Sequence, residues 1–381
     1  MKWFAILLAS LIVIGAVVFY GVLPQRFDAR NNAIVSHDAY AVSPAAQALH
    51  DSIPVADLHA DTLLWRRDPA KRQRRGHTDL PRLRDGGVAL QVFAAVTKTP
   101  PDMNLDENAA DKDALTLLMV AQAWPPRTWT SIYERAAFQA ARLAKLERDA
   151  PDAFLFVRSS ADLQEALDTD KLAGVYGIEG AHSLEGDLEN VDRLFDQGLR
   201  VMGLQHFFDN ELGGSLHGTS GAGLTDFGNA AVLRAVDKGM IIDVAHSSEA
   251  VVRDVLALTE KPVIVSHTGL NGHCDSPRNI SDETMIAIAE HGGLVGVGFW
   301  AAAICNPTPA GVASAILYAI DLLGVEHVAL GSDFDGTVTT PIDGSQMAVL
   351  TQALMDAGLD EASIRAVMGE NAVRFFLANL P

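Results

Sequence analysis

The sequence predicts an α/β fold: a (β/α)8, TIM-like barrel with a helical insertion between strands 2 and 3, preceded by an N-terminal transmembrane helix. Three observations carry this expectation. Eight short apolar runs rich in β-branched residues recur along the chain, helix-like stretches separate most of them, and nearly every run ends in a polar residue. Strands alternating with helices point to a parallel sheet, and eight such units point to a closed barrel. A chain of 381 residues, 49% apolar and 20% charged, can bury a core of that size. A formal net charge of −19 repels phosphate backbones, so nucleic acid is excluded as a partner.

In chain order, the first element is the run from Trp3 to Leu23, which holds no charged residue. At about 1.5 Å per residue it spans roughly the 30 Å hydrocarbon layer of a bilayer. It is long for a signal peptide, and neither a small-x-small cleavage site nor a lipid-attachment cysteine follows it. The expectation is therefore an uncleaved signal anchor over residues 1–24, with residues 3–23 in the lipid, and secretion after cleavage as the alternative. Lys2 precedes the span while Arg26 and Arg30 follow it, so charge leaves the orientation open. Residues 25–50 are polar and alanine-rich and read as a tether ending in a short helix around Ala45 to Ser52. The barrel domain is expected over residues 51–381.

The expected strands lie at 54–62, 87–96, 172–182, 199–206, 240–246, 262–267, 294–300 and 327–336. Helical patterns fall at 229–239, 248–260 and 281–293, the last opening with Ser and Glu spaced as at a helix start. The longest excursion, Thr97 to Asp170, carries two stretches of helical period and is expected to be a helical insertion within the same domain. The arginine-rich segment Arg66, Arg67, Lys71, Arg72, Arg74 and Arg75 reads as a solvated loop, with a lid or a contact to anionic lipid as the alternative.

The polar residues concentrate at strand ends. His59 and Asp61, Glu179, His206, His246, His267 and Asp333 all fall at or near C-terminal ends, where barrel enzymes build their sites. Residues i and i+2 of a strand share a face, so His59 and Asp61 can approach one cation together. Glu179, alone after an apolar run, needs a cation or an arginine to offset its burial. A single strand-end histidine is commonly a core residue, but His246 and His267 finish successive strands. Asp335 with Gly336 reads as a turn, and Asp333 as a functional residue. Nitrogen and oxygen donors without thiolate favour zinc, or manganese or cobalt. Five donors with a central carboxylate suit two ions, a pair that lowers the pKa of a shared water for attack on a carbonyl or phosphoryl centre. Asp333 is then the natural proton acceptor.

The ordered set "DLHADT", "HTDLPRLRDGG", "GIEGAHSL", "LQHFFDN", "GLTDFG", "IIDVAHSS", "VSHTG", "RNISDE" and "GSDFDG" resembles the renal or membrane dipeptidase family of the amidohydrolase superfamily, over about residues 50–380. The resemblance implies a binuclear zinc dipeptidase that cleaves dipeptides with a free C-terminal carboxylate. It implies His59 and Asp61 on one zinc, Glu179 bridging, and His246 and His267 on the other. Asp333 would handle the proton of the attacking water, His206 would steady the oxyanion, and Arg278 would receive the substrate carboxylate. It also implies a disulfide between Cys274 and Cys305, two free buried thiols being the alternative. A disulfide would place the domain outside the cytosol, on the periplasmic face of an inner-membrane anchor. Animal members carry a C-terminal lipid anchor, a job the N-terminal span would do here. The rival functions are another amidohydrolase reaction, on a lactone, phosphoester or N-acyl amino acid, and a metal-holding envelope scaffold without catalysis. Whether the protein forms a homodimer, and whether it takes D-residues, stay open.

Overall fold

The computed structural model describes residues 2–381. Nine strands are present among them: β1 (Val55–Ala60), β2 (Val88–Val96), β3 (Phe154–Val157), β4 (Leu172–Glu179), β5 (Leu199–Gly203), β6 (Ile241–Asp243), β7 (Ile264–Thr268), β8 (Leu294–Val297) and β9 (Val328–Leu330). Every strand pairing is parallel, and the order β1-β2-β4-β5-β6-β7-β8-β9 returns to β1 through Asp57 opposite Leu330. The eight expected runs therefore form a closed, TIM-like barrel with helices between successive strands.

The insertion is mostly helical, as expected, with Leu115–Ala121 and Ile132–Asp149 as helices. It also contains a strand that the sequence does not announce. Ala173 of β4 pairs with Leu90 on one edge and Leu155 of β3 on the other, and β5 takes over that second edge from Tyr176 onward. The four residues "FLFV" of β3 are too short a run to show a period of two.

Helix starts follow local chemistry. The side chains of Ser131, Ser248 and Ser281 each accept a backbone N–H three residues on, contributing about 1 kcal/mol per cap. The strands' apolar faces pack into a continuous core, and Phe375 and Phe376 of the C-terminal helix Asn371–Asn379 cover a second cluster around Ala56, Leu58 and Leu90.

At the N-terminus, one helix runs from Lys2 to Asn31, longer than the apolar run alone, and no residue of its apolar part is buried. The segment expected to be a tether is docked on the barrel. Asp28 is buried and paired with Arg67 Nε at 3.2 Å and Arg75 Nε at 2.7 Å. Asn32 Nδ2 donates to Asp28 at 2.9 Å, the backbone N–H of Thr337 donates to Asn32 Oδ1 at 2.9 Å, and Ile34 bridges Thr340. The helix Pro44–His50 buries Ala46 and His50. A free tether cannot bury a carboxylate; this one does because two arginines meet it.

The basic segment is correspondingly not a wholly solvated loop. Arg67 is buried and also reaches Asp335 through Nη2 at 2.8 Å. Gly76, at φ +74°, leaves room for that guanidinium, which a Cβ would overlap.

Candidate metal centre and active site

The expected residues converge above the C-terminal ends of the strands. His59, Glu179 and His267 lie within β1, β4 and β7, whereas His206, His246 and Asp333 each stand three residues beyond a strand. Asp61 has also left its strand, at φ −94° and ψ 28°, so the shared-face argument gives the right neighbour by a different route. His246 and Asp333 occupy left-handed backbone at φ 61° and 58°. Such conformations cost of order 1 kcal/mol or more in a non-glycine residue and mark positions that the surroundings hold in place.

Glu179 is the hub. Its Oε1 lies 3.3 Å from His246 Nε2, 3.3 Å from His267 Nε2 and 3.7 Å from His59 Nε2, while Oε2 lies 3.4 Å from His206 Nε2. His59 Nε2 is in turn 3.4 Å from Asp61 Oδ1. Donor atoms of Asp333 fall within 4.8 Å of those of His59 and His267.

All of these side chains are buried, and hydrogen bonds within the cluster leave some of their polar atoms unpaired. His59 Nε2 and Asp61 Oδ1 have no hydrogen-bond partner, and the Nε2 atoms of His246 and His267 face each other at 3.0 Å. Donor atoms about 2.1 Å from a tetrahedral ion lie about 3.4 Å apart, close to the spacings seen here. The donor set thus fits divalent cations. Three overlapping groups can be drawn: His59, Asp61 and Glu179; Glu179, His206 and His246; and His59, His267 and Asp333.

Burial pushes the pKa of His246 and His267 far down, which keeps both imidazoles neutral and able to act as ligands. Burial alone would raise the pKa of Glu179, but the imidazoles of His206 and His59, with hydrogen bonds from His246 and His267, hold it well below the usual range. Burial raises Asp333 well above that range, and raises Asp61, with Glu179 adding to it.

A second tier orients the imidazoles. Ser266 Oγ sits 3.2 Å from His59 Nδ1 and 2.9 Å from His267 Nδ1, so one hydroxyl serves two rings whose Nε2 atoms face the hub. The Ser266 backbone N–H donates to buried Asp243 Oδ1 at 2.9 Å. His206 Nδ1 lies 3.2 Å from the carbonyl of Lys98, which fixes a proton on Nδ1 and points Nε2 inward. Sequence reading missed Ser266 and Asp243, although a hydroxyl directly before a strand-end histidine is a usable signal.

Arg278 joins the cluster from the loop after β7. Its Nη2 lies 3.1 Å from His246 Nε2 and donates to the carbonyl of His267 at 3.1 Å, while the buried Nη1 has no partner. The guanidinium lies 5.3 Å from the Trp300 ring centroid. Cys274 and Cys305 are joined in a disulfide with Cα atoms 5.6 Å apart, and the closed loop contains both Arg278 and Trp300.

These groups open into a cavity of about 460 Å3, room for a small peptide, whose walls include Trp65, Leu118, Trp300, Phe27 and Asn31. Phe27 and Asn31 come from the N-terminal helix, and nothing in the sequence placed them there. Asp335 lies in a turn, as expected, and is also a fully buried ion-pair partner of Arg67, which the sequence did not announce.

A parallel barrel with a buried histidine and carboxylate cluster at its mouth is an arrangement able to hold metal ions beside a substrate cavity. The family model for membrane dipeptidase (peptidase family M19) matches residues 44–379, and the chain belongs to that family. It is 29% identical over 329 residues to a curated dipeptidase, ataJ, of Aspergillus terreus, covering 78% of this chain and 76% of that one. Among solved structures, it is similar to the dipeptidase AC, a metallopeptidase of family M19, at 28% identity and TM-score 0.70, covering 86% of this chain and 99% of that one. A metallopeptidase from Rhodobacter sphaeroides, solved with a phosphinate mimic of the dipeptide L-Ala-D-Ala, matches at 26% identity and TM-score 0.71 over 86% and 99% of the two chains. Membership makes this chain a hydrolase of the metallo-dipeptidase class, with dipeptides as its substrates.

Proposed function

We propose that the protein is a membrane-anchored, binuclear zinc dipeptidase acting on dipeptides with a free C-terminal carboxylate. The observation that carries this reading is Glu179, whose two oxygens lie among four imidazoles, as a carboxylate bridging two cations would. His59 and Asp61 would hold one ion and His246 and His267 the other. When bound, the two ions supply Lewis acidity and an activated water.

The chain's own residues do the rest. The unpartnered Nη1 of Arg278 offers a donor to the substrate's terminal carboxylate, and the fork geometry suits it. Binding there sets the scissile carbonyl beside the hub. Asp333, whose pKa burial raises, takes the proton of the attacking water and passes it to the leaving amine. His206 donates Nδ1–H to Lys98, so its Nε2 steadies the oxyanion only as the imidazolium, the form that Glu179 Oε2 at 3.4 Å favours.

The Rhodobacter relative's ligand supports including L,D-dipeptides among the candidate substrates. The apolar helix supports an uncleaved anchor, and the disulfide supports an extracytoplasmic catalytic domain. The testing experiment is a screen of the full-length protein in detergent against L,L- and L,D-dipeptides, with metal analysis of the same sample. Two zinc ions per chain with dipeptide turnover is the expected result. Two bound metals with no turnover on any dipeptide would favour the scaffold, and turnover of lactones or phosphoesters instead would favour the other amidohydrolase reactions.

A further inference from the structure

The foot of the N-terminal helix is more than the end of an anchor. Leu23–Asn31 continues past the apolar run and is locked in place by Asp28, buried between Arg67 and Arg75. Asn32 and Ile34 then fasten the chain to Thr337 and Thr340, in the loop that follows Asp333. This docking fixes one helical face over the mouth. Phe27 and Asn31 are four residues apart, hence neighbours on that face, and both line the cavity that contains Asp61, Glu179, Arg278 and Asp333. The Phe27 ring lies 6.0 Å from that of Trp65, and the residue remains 48% exposed. A large aromatic left half in solvent on the rim of a catalytic cavity is placed to meet substrate. Leu118, Pro100, Pro101 and Met103 line the same cavity.

We propose that Phe27 and Asn31 are specificity-determining residues, and that the helix foot closes the far side of the cleft and limits the length and bulk of the peptide that fits. The proposal rests on the dipeptidase reading above. Its chemistry is exclusion: a peptide extended by one residue must displace the Phe27 ring, which the Asp28 ion pairs hold in position. No residue of the catalytic cluster belongs to this wall, so opening it leaves the hydrolytic groups intact.

The test uses full-length protein in detergent, comparing kcat/KM for Ala-Ala with that for Ala-Ala-Ala and for a dipeptide ending in Trp. Phe27→Ala and Asn31→Ala should each raise the tripeptide-to-dipeptide ratio by about fivefold or more, within the range that one pocket contact commands. Phe27→Trp should lower turnover of the bulky dipeptide. Tm and metal content should match the parent chain, because Phe27 is half exposed. Ratios within twofold of the parent in both alanine variants, with dipeptide turnover retained, would overturn the proposal and leave the dipeptidase reading standing. Absence of turnover on every peptide by the parent chain would overturn both.

A labelling experiment gives a second readout. Both native cysteines are in the disulfide, so Asn31→Cys creates a single free thiol. A bulky maleimide there should block Ala-Ala turnover. The same label on Asp152→Cys, exposed before β3 at the opposite end of the barrel, should not. Equal activity after labelling at either position would also overturn the wall.

Discussion

Glu179 and Asp335 are both buried carboxylates near the barrel mouth, and they differ in what surrounds them. Asp335 accepts from the His77 backbone N–H at 2.7 Å, Thr78 Oγ1 at 2.6 Å and Arg67 Nη2 at 2.8 Å, so the fold itself satisfies it. Glu179 faces four imidazole nitrogens, and its neighbours His59 Nε2 and Asp61 Oδ1 are left without partners. A carboxylate that the chain satisfies is scaffold. One that the chain surrounds with unsatisfied donor atoms is waiting for something else. The two sites are tied together, since Asp335 lies two residues from Asp333.

Substitution at the hub should separate the two kinds most sharply. Glu179→Ala is expected to lose metal and to reduce kcat/KM on the order of a thousandfold or more, because bridging and water activation go together. Full metal occupancy in that variant, measured by elemental analysis, would remove the bridging role.

Asp335→Ala should do the reverse, keeping the metal donors but lowering stability by about 3–5 kcal/mol, because Arg67 keeps its burial and loses a partner. Urea unfolding reads this directly. Burial would raise the pKa of Asp335, but Arg67, His77 and the hydrogen bonds from Thr78 and His77 hold it below the usual range. Its stabilising contribution is therefore present above the unfolded value near pH 4 and fades as pH falls through the depressed folded value. The acid limb of a stability curve should flatten in Asp335→Asn, and an unchanged limb would count against the assignment.

Smaller effects sharpen the boundary between the two classes. Ser266→Ala removes the hydroxyl shared by His59 and His267, and metal affinity should fall about 10- to 100-fold with little change in Tm. Unchanged affinity in a chelator competition would show that packing alone orients the rings. Arg278→Ala should raise KM about tenfold for free dipeptides and leave C-terminally amidated ones nearly unaffected, and equal effects on both would remove its role.

The same contrast explains what the sequence made legible. Eight strands and the residues that converge around Glu179 could be read because polar residues interrupt apolar runs at their ends, a pattern that local sequence carries. The ion-pair chain from Asp28 through Arg67 to Asp335 could not, because its members are brought together only by the folded barrel. Asp335 next to Gly336 has the local signature of a turn, and its burial depends on residues far away in the chain. β3 was hidden for another reason, being four residues long between helices. The left-handed backbone at His246 and Asp333 likewise has no signature in residues that are not glycine.

The disulfide carries one more consequence. Cys274 and Cys305 bracket the loop that presents Arg278 and the Trp300 ring beside it, yet they include only one of the metal-cluster side chains' neighbouring strands, β8. Reduction of that bond would therefore be felt first at Arg278 and Trp300, and less by the side chains gathered around Glu179.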